Sequence, residues 1–249
     1  MNGVDVVGVI PARYASSRFE GKPLANIAGK PMIRRVYEGC ARATVLSRVL
    51  VATDDSRILD AVRNFGGEAL LTSTDHPSGT DRIAEACRLM EVGEDAIVVN
   101  IQGDEPLLEP IMIRLLVEAL RDSGASMATL VFESGNEKEY LDPNVVKAVV
   151  DREGRALYFS RSPLPHARDR DPATPVSFLK HLGFYAYRNS FLQHFTQLPQ
   201  GRLEQIEKLE QLRALENGFT IQTANSPMET HGVDTPEDLE YILGAFSGS

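Results

Sequence analysis

The segment VDVVGVIPARYASSRFEGKPL, residues 4–24, decides the fold. Its first part, residues 4–10, is an almost uninterrupted apolar run, which is typical of a strand buried on both faces near the centre of a parallel sheet. The loop that follows carries three cations within ten residues: Arg13, Arg18 and Lys22. Because ligands of open α/β sheets bind beyond the carboxyl ends of the strands, this loop is predicted to bind an anion such as a polyphosphate.

Strands and helices alternate from this segment as far as residue 132. Further strands are predicted at residues 47–52, 68–72, 96–102 and 126–132, with helices at 31–45, 56–65, 81–90 and 110–122. Strands that alternate with helices of this length pair in parallel through right-handed crossovers. The predicted fold class is therefore α/β, with a mostly parallel central sheet and helices on both faces.

The pattern changes from residue 145 onward. Strands at 145–150 and 156–160 flank a short polar turn, which predicts an antiparallel hairpin, and residues 162–176 form an irregular segment. A strand at 180–187, helices at 189–197 and 204–217, a strand at 219–224 and a helix from Pro236 complete the chain. We predict one domain over residues 1–249, with 145–190 as a smaller antiparallel excursion.

Composition limits the class of protein. The chain has 249 residues, of which 43% are hydrophobic, and its net charge of −9 argues against a nucleic-acid partner. The first residues lack the basic segment of an export signal and no apolar run reaches the ~18 residues of a membrane span, so a cytoplasmic protein without membrane insertion is expected. Cys40 and Cys87 lack metal-ligand spacing and are expected in the core.

Two acidic segments are candidates for a metal site. Asp104 follows a predicted strand in the segment QGDEP, and Asp234 lies in the segment GVDTPEDL. Mg²⁺ prefers a few carboxylates together with substrate phosphate oxygens, so a carboxylate at a strand end fits such a site. Each segment also has a simpler interpretation, since QGDEP can form a turn and Thr235 followed by Pro236 is an ordinary helix start.

The polar turn SGTDR, residues 78–82, leads into a predicted helix. Capping of that helix by Ser78 or Thr80 is favoured over contacts with a nucleobase. The sequence contains no Walker loop, no Gly-rich dinucleotide fingerprint and no Ser/His/Asp set. The scattered histidines without ligand spacing are expected to be structural or exposed: His76, His166 and His194.

Eight sequence blocks, in order, resemble one enzyme family. They are IPARYASSR (10–18) with GKPL (21–24), ATD (52–54), SGTDR (78–82), NIQGDEP (100–106), ALYFSR (156–161), HLGFY (181–185), LEQLR (209–213) and GVDTPEDL (232–239). From about Val6 to Leu243 the chain is similar to the CMP-Kdo synthetases, the 3-deoxy-manno-octulosonate (Kdo) cytidylyltransferases. Any one block is weak evidence, whereas eight in order are strong evidence.

This resemblance implies a fold of the nucleotide-diphospho-sugar transferase type, Mg²⁺ as cofactor, and a homodimer built partly through residues 145–190. It implies the activation of Kdo to CMP-Kdo from CTP, with release of pyrophosphate, for lipopolysaccharide biosynthesis. The catalytic residues would be Arg13, Lys22, Asp104 and Asp234, with the two aspartates as metal ligands. The nucleotide would contact Ala12, Arg13, Ser16, Lys22, Ser78, Arg82 and Gln102, and the sugar acid would contact Arg161, His181, Tyr185, Glu210 and Gln211.

The residues depart from the family pattern at two places. Glu20 stands where many members have proline, and the segment 166–176 is shorter than in many members. Without the resemblance, His181 and Tyr185 would be interpreted as residues on the faces of a strand. The open alternatives are a related acceptor such as 8-amino-Kdo or a sialic acid, a uridylyl- or guanylyltransferase, and a nucleotide-binding domain without catalysis.

Overall fold

The computed structural model describes residues 4–15, 19–169, 176–233 and 235–247. Two of the predicted site residues, Ser16 and Asp234, and part of the predicted irregular segment therefore lie outside the described residues. The chain divides into two compact units. Unit 1 comprises Met1–Arg114, Tyr187–Thr196 and Thr230–Ser249, and unit 2 comprises Leu115–Ala186 and Gln197–Glu229.

Strands and helices alternate through the first half of the chain, as the sequence predicts. The strands are β1 (Val6–Ala12), β2 (Asn26–Ile27), β3 (Lys30–Pro31), β4 (Arg48–Thr53), β5 (Ala69–Leu71), β6 (Ile97–Asn100), β7 (Met127–Ser134), β8 (Lys147–Val150), β9 (Ala156–Ser160), β10 (Phe178–Arg188) and β11 (Ile221–Asn225). The helices are α1 (Met32–Ala41), α2 (Ser56–Asn64), α3 (Gly79–Leu89), α4 (Pro110–Ser123), α5 (Glu137–Leu141), α6 (Asn189–Phe195), α7 (Arg202–Glu207), α8 (Leu212–Glu216) and α9 (Pro236–Ser247). Of the helices that the structure describes, none combines the length and apolarity that a membrane crossing requires.

The sheet of unit 1 is parallel and is built around β1. Its strand order is β6-β1-β4-β5, and Gly8 of β1 lies opposite Val49 of β4 and Val99 of β6. The strand is buried over nearly its whole length, which confirms the predicted central strand. A Cβ atom on Gly8 would lie 2.9 Å from the side chains of both Ile101 and Leu46, so glycine lets these neighbours pack directly on the strand.

Both cysteines of unit 1 lie in the core, as predicted. Cys40 on α1 and Cys87 on α3 are buried and form no disulfide. Burial raises the pKa of both thiols, that of Cys87 to about 12, because an apolar environment disfavours the thiolate. Neither cysteine is therefore a candidate nucleophile.

Unit 2 contains a mixed sheet. β11 pairs in parallel with β7, β7 neighbours β10, and β8 pairs antiparallel with both β10 and β9. The predicted hairpin is confirmed as β8 and β9, and its turn is held by the Asp151 carboxylate, which accepts from the N–H groups of Glu153 and Arg155. Gly154 completes the turn at φ 77°, in the left-handed region that favours glycine.

A buried ammonium group ties the open end of this hairpin. Lys147 is fully buried, and its Nζ atom donates to the carbonyl oxygens of Asp142 at 2.8 Å, Val145 at 2.6 Å and Arg161 at 2.8 Å. Burial lowers the pKa of Lys147, but its three donors meet three acceptors. The tie therefore fixes the backbone at Arg161, one of the residues predicted to bind the sugar acid.

The sequence predicts one helix over residues 204–217, and this prediction is wrong. The structure has two short helices, α7 and α8, because Lys208 adopts φ 55° and ends α7. Beyond the break, buried Arg213 turns back and donates to Glu204 through two hydrogen bonds of 2.8 and 2.6 Å. In a continuous helix these two residues would stand about 13 Å apart along the axis, so their ion pair requires the break.

Candidate active site

The loops at the carboxyl edge of the unit 1 sheet hold the residues predicted to bind the nucleotide. Arg13 follows β1, Asp54 follows β4, Thr72 follows β5 and Asp104 comes shortly after β6. Because these four strands are parallel, their carboxyl ends lie along one edge of the sheet. The structure therefore brings together polar side chains that are separated by up to 91 residues in the sequence.

The loop that carries Asp104 packs directly on the end of β1. A Cβ atom on Gly103 would lie 3.0 Å from the carbonyl oxygen of Pro11, so a larger residue would push the loop away. Ala12, the last residue of β1, is buried, and Gln102 is half-buried. These contacts place Asp104 close to the start of the cationic loop.

Lys22 and Asp104 form an ion pair. The Nζ atom of Lys22 lies 2.7 Å from Oδ2 of Asp104, and the two side chains are 15% and 28% exposed. Lys22 begins a short 3-10 helix that is entered through Gly21 at φ 70°, whose N–H donates to the carbonyl of Tyr14. The cation predicted for the phosphates thus touches the carboxylate predicted for the metal. Because water reaches both groups, the pair is weak and each can exchange its partner for a ligand.

The chain that leads to Asp234 runs beside Asp104. The N–H of Val233 donates to the carbonyl oxygen of Asp104 over 2.8 Å. A Cβ atom on Gly232 would lie 3.2 Å from Oε1 of Glu105, so the two segments are in close contact there. The two sequence segments predicted to supply metal ligands therefore meet in the fold.

The start of α9 confirms the helix-capping interpretation of Thr235. Its N–H donates to Oδ2 of Asp238 over 2.8 Å, and the N–H of Asp238 donates back to the Thr235 hydroxyl over 3.3 Å. This reciprocal pair satisfies donors at the helix start. Asp234 lies outside the described residues, and its role as a metal ligand stays a prediction.

The acidic groups suit a hard cation that is shared with a substrate. Asp104 offers carboxylate oxygens that water reaches, at the end of a parallel strand. In the part of the chain that the structure describes, there is no cluster of three or more His, Cys, Asp or Glu residues that could hold a metal ion by itself. Mg²⁺ fits this donor set because it is usually bound by one or two carboxylates together with substrate phosphates.

Arg13 is oriented by a network that ends on α3. Its Nη2 atom donates to the carbonyl oxygen of His76, whose ring Nε2 contacts Oε2 of Glu85. The same carboxylate accepts from the N–H of Ser73 over 2.8 Å. Burial acts to raise the pKa of Glu85, but the hydrogen bonds from His76 and Ser73 outweigh burial and hold the pKa below its ordinary value. Glu85 therefore remains a carboxylate that fixes the loop to which Arg13 is bonded.

Ser78 and Arg82 serve the framework around this edge. The Ser78 hydroxyl accepts from the N–H of Asp81 over 3.2 Å and donates to its carboxylate over 2.6 Å, which is the predicted capping role. Arg82 is 0% exposed and donates to Asp54 over 2.6 Å and to the Thr72 hydroxyl. Burial lowers its pKa, against the effect of Asp54. Arg82 thus ties the loops after β4 and β5 to α3, and its contact with a nucleotide stays a prediction.

In unit 2, His181 lies half-buried on β10, beside two aromatic rings. Its Nε2 atom is 2.9 Å from the hydroxyl of Thr129, and its ring centroid lies 4.9 Å from that of Phe159 and 5.5 Å from that of Tyr185. Burial lowers the pKa of His181 to about 3, so the imidazole is neutral at physiological pH. His181 and Tyr185, both predicted to bind the sugar acid, are therefore neighbours.

Arg161 is held by backbone and carboxylate groups of unit 2. Its Nε atom donates to the carbonyl oxygen of Glu207 over 2.8 Å and its Nη1 atom to that of Pro143 over 3.0 Å. The Glu207 carboxylate in turn accepts from the N–H of Arg161 and the hydroxyl of Ser160. The side chain of Arg161 is thus oriented by its surroundings, and its contact with a substrate stays a prediction.

Glu210 and Gln211 lie in the break between α7 and α8. An oxygen of Glu210 is 3.7 Å from Nη2 of Arg213, and Gln211 is buried. The Nε2 atom of Gln211 has no hydrogen-bond partner among the described residues. The break that the sequence failed to predict is therefore where the resemblance places two sugar-acid ligands.

Comparison with known proteins decides the family. A family model described as "Cytidylyltransferase" matches residues 7–238. A 3-deoxy-manno-octulosonate cytidylyltransferase of Syntrophobacter fumaroxidans is 64% identical over 239 residues, which cover 96% of this chain and 95% of the relative. The chain belongs to the Kdo cytidylyltransferase family. A member from Syntrophotalea carbinolica is 53% identical and covers 98% of this chain and 100% of its own.

Solved structures agree with this Kdo cytidylyltransferase assignment. A CMP:2-keto-3-deoxy-manno-octonic acid synthetase, solved in complex with CTP, matches with a TM-score of 0.92 and 44% identity over 98% of this chain and 99% of its own. A 4-diphosphocytidyl-2C-methyl-D-erythritol synthase from Anaerococcus prevotii matches with a TM-score of 0.64 but only 13% identity, over 99% of this chain and 100% of its own, which shows the fold alone. The predicted α/β nucleotidyltransferase fold is thereby confirmed.

Three residues that organise the candidate site of this member of the Kdo cytidylyltransferase family were not predicted from the sequence. Glu85, Thr129 and Glu207 each orient a predicted site residue: Arg13, His181 and Arg161 respectively. Glu85 and Glu207 lie in amphipathic helices, where a carboxylate is expected on the solvated face. Thr129 lies in an apolar strand, and the sequence carries no signal of its partner on β10.

Proposed function

We propose that this chain transfers the cytidylyl group of CTP to Kdo, which forms CMP-Kdo and releases pyrophosphate. The observation that carries the proposal is similarity over nearly the whole chain to relatives named for this activity, one of them at 64% identity. The synthetase at 44% identity, whose complex contains CTP, supports the choice of nucleotide. The cations and the carboxylate gathered at the carboxyl edge of the unit 1 sheet supply the charges that a triphosphate requires.

The reaction is an in-line substitution at phosphorus. The oxygen of the anomeric hydroxyl of Kdo attacks the α-phosphorus of CTP, and the bond from that phosphorus to the bridging oxygen breaks. The hydroxyl proton is released, and the electron pair of the broken bond leaves with pyrophosphate. No covalent enzyme intermediate is required, so catalysis rests on positioning and on neutralising charge.

Arg13 and Lys22 bind the triphosphate in this proposal. Arg13 is supported in that role by the carbonyl oxygen of His76, which orients one of its nitrogens. Lys22 is supported by its position 2.7 Å from Asp104, at the edge where the phosphates would lie. When the triphosphate binds, Lys22 exchanges Asp104 for a phosphate oxygen.

Mg²⁺ is part of the proposal, with Asp104 and Asp234 as its protein ligands. When bound, the ion would neutralise charge on the triphosphate. The exchange of Lys22 away from Asp104 leaves that carboxylate available to the ion.

The sugar acid is proposed to contact Arg161, His181, Tyr185, Glu210 and Gln211. A homodimer through residues 145–190 and a cytoplasmic location stay predictions of the resemblance.

A screen of substrates tests the proposed function. Pyrophosphate release is measured with each of the four ribonucleoside triphosphates against Kdo, 8-amino-Kdo and a sialic acid, at fixed Mg²⁺. We expect release only with CTP, and with Kdo as the best acceptor by kcat/KM. Release with another nucleotide would contradict the nucleotide assignment, and a preference for 8-amino-Kdo or sialic acid would contradict the acceptor. No release in any combination would favour the non-catalytic alternative.

A further inference from the structure

The hydroxyl of Thr129 lies between two partners inside unit 2. Thr129 is on β7 and is 0% exposed. Its Oγ1 atom is 2.7 Å from the carbonyl oxygen of Phe184 and 2.9 Å from Nε2 of His181. Both distances are those of hydrogen bonds.

Counting protons decides the direction of each hydrogen bond. The hydroxyl has one proton, and the carbonyl of Phe184 can only accept, so Thr129 donates to Phe184. The bond between Thr129 and His181 must then be donated by the ring, which places a proton on Nε2. Because desolvation lowers the pKa of His181 to about 3, the imidazole is neutral, and its other nitrogen, Nδ1, carries no proton and can only accept.

Nδ1 of His181 is a free acceptor within the described residues. The hydrogen bond of the ring to Thr129 is made by Nε2, and its other contacts are with the rings of Phe159 and Tyr185. Two residues further along β10, a Cβ atom on Gly183 would meet nothing within 4 Å, so there is open space beside that residue. An acceptor in such a place suits a ligand that brings a donor.

We propose that Thr129 is a positioning residue that holds His181 in the Nε2–H tautomer, so that Nδ1 accepts a hydrogen bond from a hydroxyl group of the acceptor sugar acid. The inference rests on the proposed function, because it assumes that a polyhydroxylated acceptor binds here. Thr129 itself does not touch the substrate. Its effect passes through the ring, since the hydroxyl selects which ring nitrogen is the acceptor.

Two substitutions of Thr129 separate the hydroxyl from the shape of the side chain. Thr129→Val keeps the branched shape and removes the hydroxyl, whereas Thr129→Ser keeps the hydroxyl. Nitrogen-15 NMR of histidine-labelled protein without substrate reports the tautomer, and His181→Asn identifies the His181 signals among the five histidines. We expect the Nε2–H tautomer in the wild type and in Thr129→Ser, and a mixture of tautomers in Thr129→Val.

Steady-state kinetics provides the second readout. The loss of one oriented hydrogen bond corresponds to about a tenfold change. In Thr129→Val we therefore expect the KM for the sugar acid to rise about tenfold while the KM for CTP stays unchanged, and in Thr129→Ser we expect both to stay near the wild-type values. A merely structural role would leave the tautomer in place or would change both KM values alike, and either result would overturn the proposal.

A pair of substitutions at His181 keeps the proposal testable if Thr129→Val fails to fold. The side-chain oxygen of asparagine can reach the position of Nδ1, whereas that of glutamine reaches the position of Nε2. We expect the KM for the sugar acid to be lower in His181→Asn than in His181→Gln, and the opposite order would overturn the proposal.

The NMR measurement is made without substrate, so its result does not depend on the outcome of the acceptor screen. An Nδ1–H tautomer in the wild type overturns the inference even if CMP-Kdo is formed, whereas an inactive protein with the Nε2–H tautomer contradicts only the proposed function.

Discussion

The residues predicted to bind the triphosphate in unit 1 and His181 in unit 2 are held by partners of different kinds. At the carboxyl edge of the unit 1 sheet, charge is paired with charge: Lys22 with Asp104, and Arg82 with Asp54. On β10 of unit 2, by contrast, His181 is neutral and is held by the hydroxyl of Thr129. The partly exposed pair of Lys22 and Asp104 can exchange its partners for an ionic ligand, whereas Arg82 is fully buried. The buried hydroxyl of Thr129 instead fixes the direction of a hydrogen bond without adding charge.

This difference matches the two kinds of substrate proposed here. A triphosphate carries several charges, so its site needs charged side chains that can exchange an ion pair within the protein for one with a phosphate. A sugar acid is distinguished mainly by the arrangement of its hydroxyl groups, which oriented donors and acceptors can detect. The comparison therefore predicts that removing the charge of Asp104 or Lys22 lowers turnover, whereas removing the hydroxyl of Thr129 mainly raises the KM for the sugar acid.

The largest effect is expected for Asp104→Asn, which removes the charge and keeps the shape. If Asp104 serves as a metal ligand, turnover should fall about 10³-fold, at the upper end for a lost electrostatic contact. Pyrophosphate release is measured over a range of Mg²⁺ concentrations beside thermal unfolding. Asp122→Asn, an exposed aspartate on α4, is the matched control. Normal turnover of Asp104→Asn at ordinary Mg²⁺ would exclude Asp104 from the metal site.

Arg213→Met tests whether the helix break depends on its buried ion pair. Removing one partner of a buried pair leaves the Glu204 carboxylate buried without its cation, which costs about 3 kcal/mol in the free energy of unfolding. Denaturant unfolding measures this change, and Arg202→Met, at an exposed arginine, is the control. A change below about 1 kcal/mol, the usual value for surface pairs, would show that other contacts maintain the break.

Lys22→Met tests whether Asp104 can exchange its ion pair with Lys22 for a metal ion. We expect turnover to fall about 10²-fold, because one cation is lost from the triphosphate site. In the absence of nucleotide, however, Asp104 loses its competing cation, so Mn²⁺ should bind the free protein more tightly, as measured by electron paramagnetic resonance. Lys138→Met, at an exposed lysine of α5, is the control. Unchanged Mn²⁺ affinity would contradict the exchange.

Glu85→Gln gives the smallest expected effect and tests the network that orients Arg13. Weakening this network should raise the KM for CTP about fivefold, the equivalent of about 1 kcal/mol, with a smaller change in kcat. Because the native pKa of Glu85 is lowered, its contribution to stability is complete above the unfolded pKa of about 4.3 and is lost as the pH falls through the native value. Thermal unfolding between pH 3 and 6 should therefore show a smaller acid loss in Glu85→Gln. An unchanged KM would show that Arg13 is oriented without Glu85.

The sequence predicts unit 1 better than unit 2 for a physical reason. In a parallel α/β sheet the functional loops follow the strands, so the cations after β1 and the carboxylate after β6 can be found by position alone. His181 and Tyr185 lie within a strand, where residue type gives no sign of a site, and they were assigned only through the family resemblance. Glu210 and Gln211 lie in a break that the helical pattern of residues 204–217 conceals.

Long-range contacts account for what the sequence could not predict. Apolar periodicity depends on neighbours a few residues apart, and it gives most of the strand and helix positions to within a few residues, although it misses α5 and the break between α7 and α8. The hydrogen bond from His181 to Thr129 joins residues 52 positions apart, and that from Lys147 to Arg161 joins residues 14 positions apart. No local pattern encodes such pairs, because each depends on which strands or segments meet in the fold.

The ammonium group of Lys147 holds three backbone carbonyl oxygens together, as a bound cation would. It sits among three carbonyl oxygens as a small metal ion would, but it is covalently part of the chain. Chelators and changes of salt therefore cannot remove it from the end of the hairpin. Its burial also shields the amine from acylating reagents while the protein is folded, so that the group becomes open to chemical modification only after the chain has unfolded. A chain acylated at Lys147 in that state would then leave the three carbonyl oxygens without their ammonium donor.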